Sequence, residues 1–339
     1  MPHLIIRCDG NDDTGLGHVT RCADLAVALL RHQPGAEIVF RGNYAAAAQR
    51  ILAHHRLPFE QAARDALPAS LQDLPSSAPV FIDSYRLTSA ALAALGASGR
   101  TVGLFDDFGS VSGEGAALAV NFRVGAAGFA NYRARRVGLG PGYFPARSAL
   151  EAVRGAREVE DVTPDFRRIL LFIGGTDHFS VGAALAKIVA RRFHSSEILW
   201  VSLQAPTSPL PENVRFLPFQ DELGPWLRDT DLVIAGGGRL KYEAAYALVP
   251  CASVAQTAEQ GLDTTELVGA GVCSDLGDAR ALELLRIEAE LDRLSERSVR
   301  RRMVEEQRRA FPRDCSRNLA ELVAESLGLR DIAPGLGPA

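Results

Sequence analysis

The 339-residue sequence predicts an α/β chain made of two doubly wound, parallel-sheet domains in tandem. Short apolar runs alternate with longer helical patterns, the mark of repeated strand–helix units. The alternation pauses at a charged stretch, residues 151–164, and restarts directly after it. Glycine-rich turns follow strand ends in both halves, where open parallel sheets bind their ligands.

His3 to Cys8 reads as a buried strand, followed by a glycine-rich turn and a helix from about Gly17 to His32. Glu37–Arg41 is a second strand and Ala45–His54 an alanine-rich helix. Pro79–Asp83 is a strand ending in an acid, Thr88–Ala97 a helix, and Thr101–Phe105 a strand ending at Asp106 and Asp107. Ala117–Asn121 is the last short strand of residues 1–150, the N-terminal domain. Residues 151–164, charged and ending in proline, read as the linker, with an ordinary surface helix as the alternative on composition alone. In the C-terminal domain, residues 165–312, strands are expected at Arg168–Ile173, Glu197–Ser202, Val214–Leu217 and Leu232–Ala235. Helices are expected from about Val181 to Phe193 and from about Leu240 to Leu248. Residues 280–330 are helical and rich in Arg and Glu, with 313–330 as a C-terminal helix, and 331–339 form a loose tail.

Composition narrows the function classes. Hydrophobic residues make up 47% and charged residues 23%, so both halves can bury a normal core. A net charge of -4 gives no electrostatic basis for binding nucleic acid. The five cysteines are scattered, odd in number and without a CxxC pair, so neither a disulfide framework nor a zinc site is expected. The apolar run at the N-terminus is too short for a signal peptide, and no stretch approaches the length of a membrane span, so the protein reads as cytoplasmic.

Asp9 to Arg21 carries the first glycine loop, with Thr14-Gly15-Leu16-Gly17-His18 at its centre. Glycine lets backbone amides approach an anion, and a helix N-terminus adds a favourable dipole. The dinucleotide fingerprint requires a third glycine, where this chain has Thr20, and an acid ending the second strand, where it has Arg41. NAD is therefore not the expected ligand. His18 follows the two glycines at the ligand end of the sheet and is placed to accept a proton.

The second half has two such loops. Gly174-Gly175-Thr176-Asp177 follows its first strand; Thr176 or Asp177 serves either a ligand or the cap of the next helix. Gly236-Gly237-Gly238 precedes a helix carrying Arg239, Lys241 and Glu243. Consecutive glycines weaken both neighbouring elements, which favours phosphate binding over packing as their purpose. Glu243, one turn into the helix, suits ribose hydroxyls.

The ordered set of motifs resembles the UDP-sugar hydrolase family of pseudaminic acid biosynthesis (PseG/SpsG type), of the MurG-like GT-B superfamily. The resemblance rests on Gly15-x-Gly17-His18-x-x-Arg21-Cys22, Asp83-Ser84-Tyr85, Phe105-Asp106-Asp107, Asn121, Gly138 to Arg147, and Gly174-Gly175-Thr176-Asp177, and covers about residues 3–275. It implies two Rossmann-like domains facing each other across a cleft, and metal-independent attack of water on the anomeric carbon of a UDP-linked diacetamido-trideoxy sugar. His18 is then the base. Gly15, Gly17, Gly174, Gly175, Thr176, Gly236, Gly237, Gly238, Arg239 and Glu243 fall to the nucleotide, and Arg21, Asp83, Tyr85, Asp107, Asn121, Glu259 and Gln260 to the sugar. The chain departs from the family in the basic residues after Gly238, and in Glu259-Gln260 where the family has Asn-Gln. A GT-B glycosyltransferase using the same donor, with a sugar, lipid or small-molecule hydroxyl as acceptor, is the alternative. A non-catalytic nucleotide-sugar-binding protein is a third reading, one that would have no use for His18. No cofactor or metal is expected, and the partner is a small-molecule nucleotide-sugar.

Overall fold

The structure is a computed structural model and describes residues 4–62, 67, 69–71, 77–111, 113–128, 132–175, 177, 179–220 and 222–329. The expected tail at 331–339, and Thr176, lie outside the described residues. The chain divides into two compact units, one running to Pro145 and resuming at Asp314, the other spanning Ala146–Arg313.

The first unit opens with β1 (Leu4–Cys8), α1 (Gly17–His32), β2 (Ile38–Gly42), α2 (Ala46–His54) and β3 (Phe59–Gln61). It continues with β4 (Val80–Asp83), α3 (Ser89–Ala97), β5 (Val102–Phe105), β6 (Leu118–Asn121) and β7 (Arg136–Leu139). Its seven strands lie in the order β3-β2-β1-β4-β5-β6-β7, all parallel. Strands such as β1, with all five residues buried, are covered on both faces because helices flank both faces of a parallel sheet. The order reverses at β1: β2 pairs on one side of it and β4 on the other, with Cys8 opposite Asp83. That reversal opens a crevice at the carboxyl ends of β1 and β4.

The second unit holds α4 (Ser148–Gly155), β8 (Arg168–Phe172), α5 (Val181–Arg192), β9 (Glu197–Ser202) and β10 (Val214–Pro218). After these come α6 (Gly224–Leu227), β11 (Leu232–Gly236), α7 (Leu240–Tyr246), β12 (Cys251–Ala255), α8 (Ala258–Gly269) and β13 (Ser274–Asp278). Helices α9 (Leu284–Ser295) and α10 (Arg297–Ala310) close it. The six parallel strands run β10-β9-β8-β11-β12-β13, so the reversal falls between β8 and β11. The loops leaving those two strands are the two glycine loops of this half.

Residues 151–164, expected as a linker, belong to the second unit. They continue α4 and form a short turn at Val159–Asp161, capped reciprocally by Glu158 and Asp161. Val159 and Val162 pack with Leu248 and Val304, and the Arg154 guanidinium donates to the carbonyls of Tyr246 and Phe311, each at 2.6 Å. The final helix, α11 (Cys315–Leu327), packs in the first unit against α1. A Cβ on Gly138 of β7 would come within 2.6 Å of Leu322, so glycine there admits the helix. Gln33, at the end of α1, donates to the Leu329 carbonyl just beyond α11.

Ala117–Asn121 is not the last strand of its domain. The structure adds β3 and β7 at the sheet edges, and β12, α8 and β13 in the second unit. β3 and β7 are short and partly exposed, and β13 (Ser-Asp-Leu-Gly-Asp) is built of turn-forming residue types. Among the described residues, no helix is long and apolar enough to cross a membrane.

Arg300 on α10 shows what holds the second unit at its base. It is 1% exposed, and its guanidinium donates to the carbonyls of Leu294, Ser295, Thr163 and Pro164 at 2.6–2.8 Å, over the ring of Phe166. Burial draws its pKa down from the ordinary arginine value. Arg300→Ala strands four carbonyls and is expected to cost about 3 kcal/mol or more, read as a lower urea midpoint at unchanged slope, with Arg300→Lys recovering part of the loss.

Candidate functional site

In the first unit the site forms where β1 and β4 part. The loop after β1 is fixed by its own side chains. Asn11 Oδ1 accepts from the backbone amides of Asp13 and Thr14, both at 3.1 Å, and Asn11 Nδ2 donates to Asn43 Oδ1 at 2.9 Å. Gly15 has φ +66°, in the left-handed region that favours glycine. Leu16, at the start of α1, has no side-chain acceptor to cap the helix, so first-turn amides are left to other acceptors.

This start of α1 places His18 and Arg21 beside Asp83, the last residue of β4. His18 Nδ1 lies 2.7 Å from Asp83 Oδ1. Arg21 donates through Nε to Oδ2 and through Nη2 to Oδ1 of the same carboxylate, both at 2.5 Å, and through Nη1 to Asp107 Oδ2 at 2.6 Å. The Cys22 thiol adds a longer contact, 3.6 Å, to Asp83 Oδ2. All of these residues are buried, Asp83 to 1% exposure. Burial opposes the Asp83 charge, but the Arg21 guanidinium and His18 outweigh it and hold the carboxyl well below the usual carboxylate range. Burial also pushes the Cys22 thiol up, which keeps its proton on sulfur. An ionised carboxylate can only accept, so His18 Nδ1 carries a proton, and in the neutral imidazole the lone pair lies on Nε2.

Tyr85 and Asp107 extend the cluster. The Tyr85 hydroxyl donates to Asp107 Oδ2 at 2.9 Å, and its ring meets the His18 ring edge-on, with centroids 4.5 Å apart. Asn121 is fully buried and engaged internally: Nδ2 donates to the Asp107 carbonyl and to Tyr132 Oη, and Oδ1 accepts from the Arg123 amide. Expected as a sugar contact, Asn121 instead braces the Asp107 loop. Arg21 and Asp83, from the same expected set, bond to each other and support His18.

In the second unit the glycine loops divide differently from the expectation. A Cβ on Gly236 would fall 1.7 Å from the Ile173 carbonyl oxygen, and one on Gly237 would fall 2.3 Å from Gln260 Oε1. Packing therefore requires glycine at two of the three consecutive positions, where the sequence favours phosphate binding as the purpose. Only Gly238 faces open space. Asp177 takes the capping role: its carboxylate accepts from the amides of Val181 and Gly182 at the start of α5, at 2.9 and 2.7 Å. Gly174 and Gly175 thus precede a helix end already supplied with an anion.

Lys241, on the helix after the triple glycine, is fully buried and bonds Asp263 Oδ2 at 2.8 Å and Thr264 Oγ1 at 3.0 Å on α8. Gln260 Oε1 accepts from the Gln256 amide at 2.9 Å, while Glu259 is exposed at the start of α8. Glu243 is 5% exposed, and its Oε1 lies 3.1 Å from Arg147 Nη2 and 3.3 Å from Arg239 Nε. Gln256 of the second unit and Phe108 of the first carry no local motif; Gln256 donates to the Ile173 carbonyl at 3.2 Å, and the Phe108 ring meets that of Tyr85. Among the described residues, no group of three or more His, Cys, Asp or Glu side chains is arranged to hold a metal ion.

No family model matches the chain, and no curated protein matches it in sequence. Solved structures match it in shape over nearly the whole length. Acinetobacter baumannii MurG aligns with a TM-score of 0.64 at 15% identity, covering 96% of this chain and 100% of that one. The glycotransferase of kitacinnamycin aligns at 0.67 and 13%, covering 96% and 99%. The UDP-GlcNAc 2-epimerase of Neisseria meningitidis, solved bound to UDP-GlcNAc, aligns at 0.65 and 12%, covering 96% and 100%. The fold is GT-B, with two Rossmann-like, parallel-sheet domains.

Two tests follow from this geometry. Asp83 is depressed in the folded protein, so its contribution to stability is complete above the ordinary carboxylate pKa of about 4 and is lost as pH falls below it. Asp83→Asn should cost about 3–5 kcal/mol near neutrality and flatten the acid side of a stability–pH curve measured by urea denaturation. Within the triple glycine, Gly236→Ala should cost about 3 kcal/mol or more, while Gly238→Ala should leave the melting temperature nearly unchanged.

Proposed function

We propose that this protein is a nucleotide-sugar hydrolase that releases UDP from a UDP-linked sugar, with His18 as the base. The observation that carries the reading is the His18 Nδ1–Asp83 contact of 2.7 Å at the carboxyl end of the first sheet. It leaves Nε2 as the proton acceptor and fixes the ring in place. In the proposed step, His18 Nε2 takes a proton as a water oxygen bonds to the anomeric carbon. The bond from that carbon to the diphosphate oxygen breaks, and UDP departs with the bonding pair. Gly238 and Arg239 are assigned to the departing diphosphate, together with Gly174 and Gly175. Glu243 is assigned to the ribose hydroxyls, sharing its carboxylate with Arg147 and Arg239. The diacetamido-trideoxy class of sugar comes from the motif resemblance, and the absence of a metal requirement is part of the same proposal.

A glycosyltransferase is the second reading. The same imidazole can deprotonate an acceptor hydroxyl in place of water, and the kitacinnamycin enzyme of like fold is a glycotransferase.

The deciding experiment is to incubate the protein with UDP-, CMP-, GDP- and dTDP-sugars, without acceptor and with EDTA, and to measure released nucleotide. Hydrolysis is expected with a UDP-sugar, unaffected by EDTA and reduced at least about 100-fold by His18→Ala. Tight binding of a UDP-sugar with negligible release would replace the hydrolase by the transferase. If no donor binds, the nucleotide-sugar reading fails.

A further inference from the structure

Helix α7 is seven residues long, buried throughout, and starts without a side-chain cap. So short a helix takes its geometry from its neighbours. On one face, Lys241 Nζ donates to Thr264 Oγ1 at 3.0 Å and to the Gln260 carbonyl at 3.4 Å, and pairs with Asp263 Oδ2 at 2.8 Å. The adjacent Tyr242 hydroxyl donates to Asp263 Oδ1 at 2.6 Å. The ammonium so finds three acceptors, and both oxygens of Asp263 are held by consecutive residues of α7. The same stretch of α8 reaches the glycine loops. Gln260 lies against Gly237 and accepts from the Gln256 amide, and Gln256 donates to the Ile173 carbonyl, just before Gly174. Two residues beyond Lys241, at about 100° per residue, Glu243 leaves α7 about 200° around the helix. There its Oε1 lies 3.1 Å from Arg147 and 3.3 Å from Arg239, yet is buried with no hydrogen bond among the described residues. A buried acceptor in that state can still take a hydroxyl donor. Apolar side chains of similar size join two helices as well as a buried lysine–aspartate pair does, so what the pair can add is one fixed arrangement.

We infer that Lys241 is a positioning residue for the nucleotide: through Asp263 it fixes the rotation of α7, and with it the Glu243 carboxylate that receives the ribose hydroxyls. This rests on the nucleotide-sugar reading, from which Glu243 takes its assignment, and adds the group that holds Glu243 in place. Lys241, wholly enclosed, acts through the helix and does not touch the nucleotide. Of the basic residues after Gly238, in which the chain departs from the motif resemblance, Lys241 thus serves the helix rather than the phosphates.

Calorimetric titration of the full chain with UDP, and with the UDP analogue lacking both ribose hydroxyls, tests this. The wild type should bind UDP about tenfold or more tightly than the analogue, as hydrogen bonds to a charged acceptor would give. Lys241→Met should narrow that ratio to about threefold or less, by weakening UDP while leaving the analogue nearly unchanged. Glu243→Gln should narrow it similarly, and Lys241→Met added to Glu243→Gln should change it no further, because both act on one contact. Tyr242→Phe, which removes only the second bond to Asp263, should narrow the ratio less and in the same direction. A Lys241→Met variant, folded by circular dichroism, that keeps the wild-type ratio or loses UDP and the analogue equally overturns the positioning role. So does a further fall of the ratio in the double variant. If Lys241→Met does not fold, an unchanged ratio in Tyr242→Phe overturns it instead. Equal binding of UDP and the analogue by the wild type also overturns it and leaves the nucleotide-sugar reading standing. Failure of the wild type to bind UDP at all defeats both.

Discussion

A single buried carboxylate organises the first unit's site. Asp83 sits at the end of a central strand, almost without solvent, where an isolated charge would cost several kcal/mol. Arg21 answers it with two hydrogen bonds and His18 with one. The consequence for chemistry is the histidine tautomer. Because Asp83 accepts, His18 must donate from Nδ1, and only Nε2 is left to take a proton. The same arginine reaches Asp107, and Asp107 holds Tyr85, so the position of the exposed aromatic ring depends on the same charge.

Topology decides where such a cluster can form. In each unit the strand order reverses once, between β1 and β4 and between β8 and β11, and every glycine loop in question leaves one of these strands. The two units use their crevices differently. The first lines its crevice with side chains able to move a proton. The second fills much of its own: Asp177 occupies the start of α5, Gln260 packs on Gly237, and Lys241 is spent on tying α7 to α8. Gly175 and Gly238 face open space there, with Arg239, Arg147 and Glu243 in a shared ion pair after Gly238.

Solved proteins of this fold include a glycotransferase and a 2-epimerase, so the scaffold carries more than one chemistry. Function on such a scaffold follows from the groups at the site. A histidine oriented by a carboxylate can activate water or a sugar hydroxyl alike.

The elements with strong local signals were legible in the sequence alone. Helix α1 and strands β1, β4 and β8 follow from apolar periodicity, and His18 was singled out by its place after two glycines at a strand end. Asp83 and Asp107 stand out in the sequence as acids ending apolar strands, and their assignment to a sugar comes from the motif resemblance. Their partners could not be named. That Arg21 bridges both acids depends on contacts 62 and 86 residues apart, which no local pattern encodes. The short strands β3, β7 and β13 escaped because they are stabilised by pairing with neighbours rather than by their own composition. Only the tertiary structure decided that Gly236 and Gly237 are closely packed, that Lys241 is interior, and that Phe108 meets the Tyr85 ring. Each of these is a question of which distant atoms share a space, and the chain settles that only when it folds.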